Sequence, residues 1–228
     1  MKILHLTDLH FRRYWLDWAH DVAANYDLVC ISGDLLDMFA ATPLREQIPI
    51  VTEWLRSLPA KAAVCSGNHC WWENYNGRDA DAEAKWLRRL RSQRLIVDGG
   101  SRMIDESVRV SCVGWTDPYD PRDAPLEIVV SHCGPRHVEV VESEQGDWGD
   151  ELLLVRLRDQ RAVVLSGHVH NPRHWYGETW QRVLCLNPGC DLEAKLPRHV
   201  VVDVDAGFAQ LLVDGTVADR VKLPDPKP

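Results

Sequence analysis

Short apolar runs closed by small and polar residues recur along this chain, separated early on by stretches of helical spacing. Residues 2–7 carry Ile3, Leu4 and Leu6 and read as a first strand, closed by Asp8-Leu9-His10. Residues 14–25 place Trp15, Trp18, Ala19 and Val22 on one helical face. A continuous apolar run, residues 27–31, predicts a buried second strand that ends in Ser32-Gly33-Asp34. A helix is expected from near Thr42, with Leu44, Ile48, Val51, Leu55 and Leu58 facing inward. Pro43 suits its first position, and Pro49 should kink it or mark a late start.

The third strand, residues 61–65, runs into Ser66-Gly67-Asn68-His69. Beyond it come a polar segment from Glu73 to Asp81 and a helix through Trp86, Leu87 and Leu90. Strands are expected at 95–97 and 108–114, on either side of Gly99-Gly100. The proline- and aspartate-rich residues 116–125 read as a loop. A buried strand at 127–130 ends in Ser131-His132, and another at 162–165 ends in Ser166-Gly167-His168-Val169-His170. Between them, an acidic stretch at 139–151 leads into a leucine-rich helix. From Arg182 onward the pattern is strands and turns, including 199–204 and 208–213. Helices alternate with strands early and strands dominate late, which predicts two layered sheets with helices outside.

Composition changes this picture little. The 228 residues, 45% hydrophobic and 26% charged, suit one globular domain over 1–228, with 223–228 expected to be loose. A net charge of −8 argues against binding nucleic acid by broad phosphate neutralisation. The seven cysteines include no C-x-x-C pair. The first residues become charged too soon for a signal-peptide core, and no apolar run approaches a membrane span. A reduced, cytoplasmic protein is the expectation.

The candidate chemistry lies where the strands end. Asp8-x-His10, Gly33-Asp34, Gly67-Asn68-His69, His132 and Gly167-His168-x-His170 each follow an apolar strand. Together they offer two carboxylates, an amide and five imidazoles at one sheet edge. These are donors that Mn, Fe, Zn or Co accept, with no thiolate among them. Two imidazoles on one side of a turn are awkward unless something binds them. His5, inside the first strand, reads as a packing residue.

These five blocks, spanning residues 8–170, resemble the calcineurin-like metallophosphoesterases: D-x-H, G-D, G-N-H, a lone H, then G-H-x-H. The resemblance implies an α/β (α+β) fold: a two-sheet mixed sandwich flanked by helices in four layers. It also implies a site for two divalent metal ions, with Mn favoured and Fe, Zn, Co or Ni as alternatives. One ion would take Asp8, His10, Asp34 and His170, and the other Asp34, Asn68, His132 and His168. A hydroxide bridging the two would attack phosphorus, and His69 would protonate the leaving oxygen or stabilise the transition-state charge. The family usually has an acidic residue directly after G-N-H. Cys70 stands there instead and gives His69 little support, so catalysis with less assistance from His69 is the expectation, with Glu73 or another acid as a substitute for the missing one.

The expected activity is hydrolysis of a small or medium phosphoester, with a diester favoured and a nucleotide-containing substrate in view. The alternatives are a nuclease related to DNA-repair exonucleases and a non-catalytic scaffold that keeps the fold. Duplex nucleic acid is an unfavoured partner. Trp71, Trp72, Trp115 and Trp175 are candidates to stack a flat group at the mouth. Arg12, Arg13, Arg136 and Arg173 closely follow motif blocks and are candidates to hold an anionic substrate. Cys70 and Cys133, each directly after a site histidine, read as small filler, with an extra ligand or sensitive thiol as the alternative.

Overall fold

The computed structural model describes residues 1–70 and 84–225. The first sheet begins with three parallel strands, β1 (Lys2–Leu6), β2 (Leu28–Ser32) and β3 (Lys61–Cys65), linked by helices α1 (Arg13–Ala23) and α2 (Leu44–Ser57). A four-residue helix, α3 (Lys85–Arg88), leads to β4 (Leu95–Val97), parallel to β3 at the sheet edge. The chain then builds the second sheet from β5 (Ser101–Met103), β6 (Val108–Val113) and β7 (Leu126–Ser131). A 3-10 turn at Glu139–Val141 and a hairpin of β8 (Glu142–Ser143) and β9 (Gly146–Asp147) precede α4 (Glu151–Arg156). The second sheet resumes with β10 (Ala162–Leu165), β11 (Tyr176–Thr179) and β12 (Val183–Leu186). Finally β13 (His199–Asp203), β14 (Phe208–Val213) and β15 (Thr216–Lys222) return to the first sheet. The strand orders are β15-β14-β13-β1-β2-β3-β4 and β11-β12-β10-β7-β6-β5.

Side-chain parity explains the four layers. In β2, Leu28 and Cys30 face the second sheet, whereas Val29 and Ile31 face the helices. In β10, Val163 and Leu165 face the first sheet, whereas Ala162 and Val164 face α4 and the 3-10 turn. Both strands are buried on both faces, which is why they read as unbroken apolar runs. The face predicted for α1 is rotated in part: Trp15 and Ala19 are buried as expected, but Leu16 and Ala23 complete the buried face and Trp18 and Val22 are half-buried at its edge. Trp54 Nε1 of α2 donates to Leu16 O, tying the two helices together at 2.8 Å.

Helix α2 runs through Pro49 and takes Pro43 as its N-cap rather than as its first residue. The helix predicted around Trp86 is a single turn. Five strands were not anticipated: β5, β11 and β15, which lie at the edges of the two large sheets, and β8 and β9, which form the small hairpin. The expected loose tail is pinned as far as it is described. Leu223 is buried, its N–H donates to Gly207 O, and Arg161 donates to the carbonyls of Pro224 and Asp225. No helix among the described residues is long and apolar enough to cross a membrane.

The carboxyl ends of β1, β2 and β3 meet those of β7 and β10, and glycine permits the meeting. A Cβ on Gly33 in the first sheet would overlap the His132 ring from the second. A Cβ on Gly167 in the second sheet would overlap Thr7 Oγ1 and Asp8 Oδ2 from the first. Gly167→Ala is therefore expected to cost about 3 kcal/mol in urea unfolding, because the overlapped atoms belong to buried residues with nowhere to go. A stability within about 0.5 kcal/mol of the parent would show that the sheets part easily there.

Candidate active site

The turn after each strand is built so that its polar side chains face the junction. Asp8, His10, Asp34 and His168 adopt left-handed φ values of 51°, 41°, 42° and 66°. Non-glycine residues adopt that conformation at a cost, and such strain gathers at functional sites. Backbone bonds lock the first two turns together: His10 N–H donates to Asp34 O at 2.8 Å and Phe11 N–H to Leu35 O at 3.0 Å. His69 N–H donates to Asp34 Oδ1 at 2.8 Å, and His168 N–H to Asp8 Oδ2 at 3.2 Å. Both carboxylates thus act as anchors for the turns that carry the neighbouring imidazoles.

All the expected ligand residues come together. Asp8 Oδ1 lies 3.4 Å from His170 Nε2 and 3.8 Å from His10 Nε2, and those two nitrogens are 3.2 Å apart. Asp34 Oδ2 lies 3.2 Å from His132 Nε2, which is 2.9 Å from Asn68 Oδ1. The His168 ring stands edge-on to His132, with centroids 5.1 Å apart. His132 Nδ1 meets Ser32 O at 2.8 Å, which leaves Nε2 as the nitrogen aimed at Asp34 and Asn68.

Electrostatics follows from this crowding. Burial opposes ionisation of Asp8 and Asp34, yet the imidazoles hold both acids below the usual carboxylate range: His170 foremost at Asp8, His132 at Asp34. Burial likewise opposes protonation of His132, but the charges of Asp34 and Asp8 outweigh it and raise the group to about 9. His168 is lowered to about 4 by burial and by His132.

The residues fit divalent cations on one specific observation. Asp8 Oδ1 is buried without a hydrogen-bond partner, yet it faces two imidazole nitrogens at 3.4 and 3.8 Å. Asp8, His10 and His170 form one compact donor group, and Asp8, Asp34 and His132 another. Donor atoms about 3 Å apart suit ligands about 2.1 Å from a shared ion.

Around this centre the other expected residues divide. Trp115 is at the mouth, its ring 5.6 Å from His132 and 5.3 Å from His168. Trp175 is not: it is buried between the sheets, and Nε1 donates to Asp219 Oδ2. Trp71, Trp72 and Glu73 lie outside the described residues. Arg136 pairs with Asp147 at 3.4 Å and Arg173 with Glu142 at 2.9 Å. Arg13 is exposed over the Phe11 ring, and Arg12 Nε is buried without a partner. A cavity of about 380 Å³ opens against Asp34, Asn68, His69, His168 and His170, and none of these four arginines lines it. His5 is a packing residue, bonded through Nε2 to Ser32 Oγ. Cys70 and Cys133 are pushed up to about 12 by burial, which leaves their thiolates scarce.

Three residues support the centre: Asp37 and Asp98 escaped the sequence, whereas Asn187 lies in a segment that reads as a structural turn near the site. Asp37 lies 3.9 Å from His69 Nδ1, which also accepts from Met38 N–H at 3.4 Å. Its signal was the second acid in Gly33-Asp34-Leu35-Leu36-Asp37. Asn187, buried, donates to the carbonyls of Val140, Gly167 and Val169 and so fixes the turn that bears His168. Asp98, fully buried, accepts from Ser66 N–H at 2.8 Å and steadies the turn before Asn68.

Parallel strand ends from two sheets that gather carboxylates, an amide and imidazoles in one cleft define a metal-binding α/β protein. The model of the calcineurin-like phosphoesterase family matches residues 1–172, and the chain belongs to that family. It is accordingly a metal-dependent phosphoester hydrolase. Similar solved structures include a novel archaeal phosphodiesterase, 18% identical with a TM-score of 0.53, which covers 93% of this chain and 99% of its own. TT1561 of Thermus thermophilus is 14% identical with a TM-score of 0.58, covering 97% and 98%. YfcE, a phosphoesterase from E. coli, is 14% identical with a TM-score of 0.50, covering 98% and 100%. At these identities the likeness is one of fold. No curated protein matches the chain.

Burial raises the Asp98 carboxyl from 3.8 to about 6, against the hydrogen bonds from Ser66, and its Oδ2 has no partner. The folded acid binds its proton more tightly than the unfolded one, so stability falls as pH rises from about 4 through about 6 and is level above. Relative to Asp98→Asn, the parent should lose roughly 2–3 kcal/mol across that window in urea unfolding. A difference that stays constant with pH would place the proton elsewhere.

Proposed function

We propose that the chain hydrolyses a phosphodiester at a two-metal centre. Asp8, His10, Asp34 and His170 would hold one divalent ion, and Asp34, Asn68, His132 and His168 the other. The observation that carries the reading is the pair of buried carboxylates, 0% and 2% exposed, turned toward imidazole nitrogens at the meeting of two sheets. Isolated buried anions are costly, and a cation among them removes that cost. When bound, two such ions supply Lewis acidity toward phosphoryl oxygens and a nucleophile at neutral pH. The donor set, with oxygen and nitrogen and no thiolate, favours Mn, with Fe, Zn, Co or Ni able to substitute.

The chain's own residues orient and protonate. Asn68 and His132 are 2.9 Å apart at the centre, and Asp34 Oδ1 fixes the turn that carries both Asn68 and His69. With Nδ1 accepting from Met38 N–H, His69 presents Nε2–H as a hydrogen-bond donor to the leaving oxygen; full proton transfer would start from the imidazolium, with Nδ1–H toward Asp37, and leave a neutral imidazole. Diester preference is supported by the cleft lining, which among the described residues holds no lysine or arginine to meet the second charge of a monoester. The archaeal phosphodiesterase of like fold points the same way. The reading treats residues 1–228 as one domain. A cytoplasmic setting is supported by seven free cysteines, six of them buried.

The test is hydrolysis of a chromogenic diester beside its matched monoester, after chelation and resupply of Mn, Co, Ni, Zn or Mg. Mn should restore diester cleavage most strongly, and Asp34→Ala should remain inactive with every metal. Restoration by none of the metals would sink the reading, and faster cleavage of the monoester would reassign the substrate. His69→Ala should lower kcat by about 10²-fold on an alkyl leaving group and far less on nitrophenolate, which needs no proton. Equal losses on both leaving groups would assign His69 a different part.

A further inference from the structure

One wall of the cleft takes no part in that chemistry. It is formed by the β8–β9 hairpin and by Asn171, just past the last proposed ligand. Trp148 is 52% exposed there, yet it is held in place. Its Nε1 donates to Ser143 Oγ at 3.3 Å, its backbone N–H donates to Val141 O, and its ring meets His168 edge-on with centroids 6.3 Å apart. The Ser143 hydroxyl is buried and donates to Gln145 Oε1 at 2.8 Å, which turns the Gln145 amino group outward. That amino group and the Asn171 amide form no hydrogen bond among the described residues. The pairs Arg173–Glu142 and Arg136–Asp147 brace the hairpin from outside.

We infer that this wall is a subsite for the nucleobase of a nucleotide phosphoester, with Trp148 stacking the base and Gln145 and Asn171 reading its polar edge. The inference rests on the phosphoesterase reading, whose centre would hold the phosphate beside it. A phosphate alone would need neither an ordered indole nor two idle amides. An indole face stacks any base, and primary amides offer both donors and an acceptor to its edge. Among the described residues no lysine or arginine lines the wall, so what it takes beyond the phosphate is flat, polar and uncharged. The cavity, about 380 Å³, is of the size that takes a small molecule.

Binding separates this inference from the catalytic reading. The probes are the methylene phosphonate analogue of adenosine 5′-monophosphate and ethylphosphonate, which shares the anionic head without the nucleoside. Titration calorimetry on the Mn-loaded protein should give about tenfold tighter binding of the nucleoside analogue. Trp148→Ala should abolish most of that preference and Gln145→Ala should reduce it, with ethylphosphonate affinity unchanged in both. Equal binding of the two probes by the parent, or a tenfold preference surviving in both variants, overturns the subsite. A preference in a protein that cleaves no ester leaves the subsite standing and removes the catalytic reading; cleavage without preference does the reverse. A 5′-phosphorylated single-stranded hexanucleotide distinguishes the source. Tighter, steeply salt-dependent binding assigns a strand end, and affinity equal to the analogue's assigns a free nucleotide.

Discussion

Two buried carboxylates set the terms for this molecule. Asp8 and Asp34 are almost wholly withdrawn from water, and each is a charge that the interior tolerates only with a partner. The partners come from the opposite sheet: His170 and the His168 amide for Asp8, and His132 for Asp34. The site and the packing of the sheets are therefore one structure. Closing the sandwich brings the imidazoles to the acids, and the acids fix the turns that close it. The glycines follow from this demand, because any side chain at 33 or 167 would hold the sheets apart. The strained backbone at Asp8, His10, Asp34 and His168 is held by the same cross-links.

Much of this was legible in the chain. Central strands buried on both faces write themselves as unbroken apolar runs, so β2, β3, β7 and β10 were found almost to the residue. The polar groups that matter directly follow those runs, which is why the residues of the centre were readable. What was lost lies where burial leaves no pattern. The strands β5, β11 and β15 are edges; β15 is exposed at six of its seven positions. Trp175 was misplaced because proximity in sequence to His170 says nothing of direction. Just before β11 the chain has turned inward, and the indole packs between the sheets.

Supporting polar residues are the harder case. Asn187 bonds three carbonyls from two separate segments, and Gln47, in the first turn of α2, bonds the carbonyls of Asp37 and Thr42 while accepting from Asp37 N–H. Gln47 belongs to no motif and Asn187 reads only as part of a turn, since the bonding of each is defined by backbone groups it meets only after folding. A buried amide with every bond satisfied is worth more to the geometry of a site than its composition suggests. The Gln47 clamp shapes the loop from Asp37 to Thr42, and that loop in turn presents Met38 N–H to His69.

The same loop resolves the one departure from the family pattern. Cys70 occupies the position where an acid would steady His69, and its thiol, buried on the helix side and pushed up to about 12, cannot serve as an anion. Asp37 lies 3.9 Å from His69 Nδ1 instead, supplied by β2's loop rather than β3's. The backbone of Met38 completes the contact by binding the same nitrogen. As a neutral hydrogen-bond donor with a fixed tautomer, His69 needs only that amide. For proton transfer it must start as the imidazolium, whose Nδ1–H would face Asp37, and it ends neutral once the leaving oxygen has taken the Nε2 proton. With the acid moved from the neighbouring position in sequence to the neighbouring loop in space, Cys70 is free to be a core residue, and the proposed role of His69 does not depend on it.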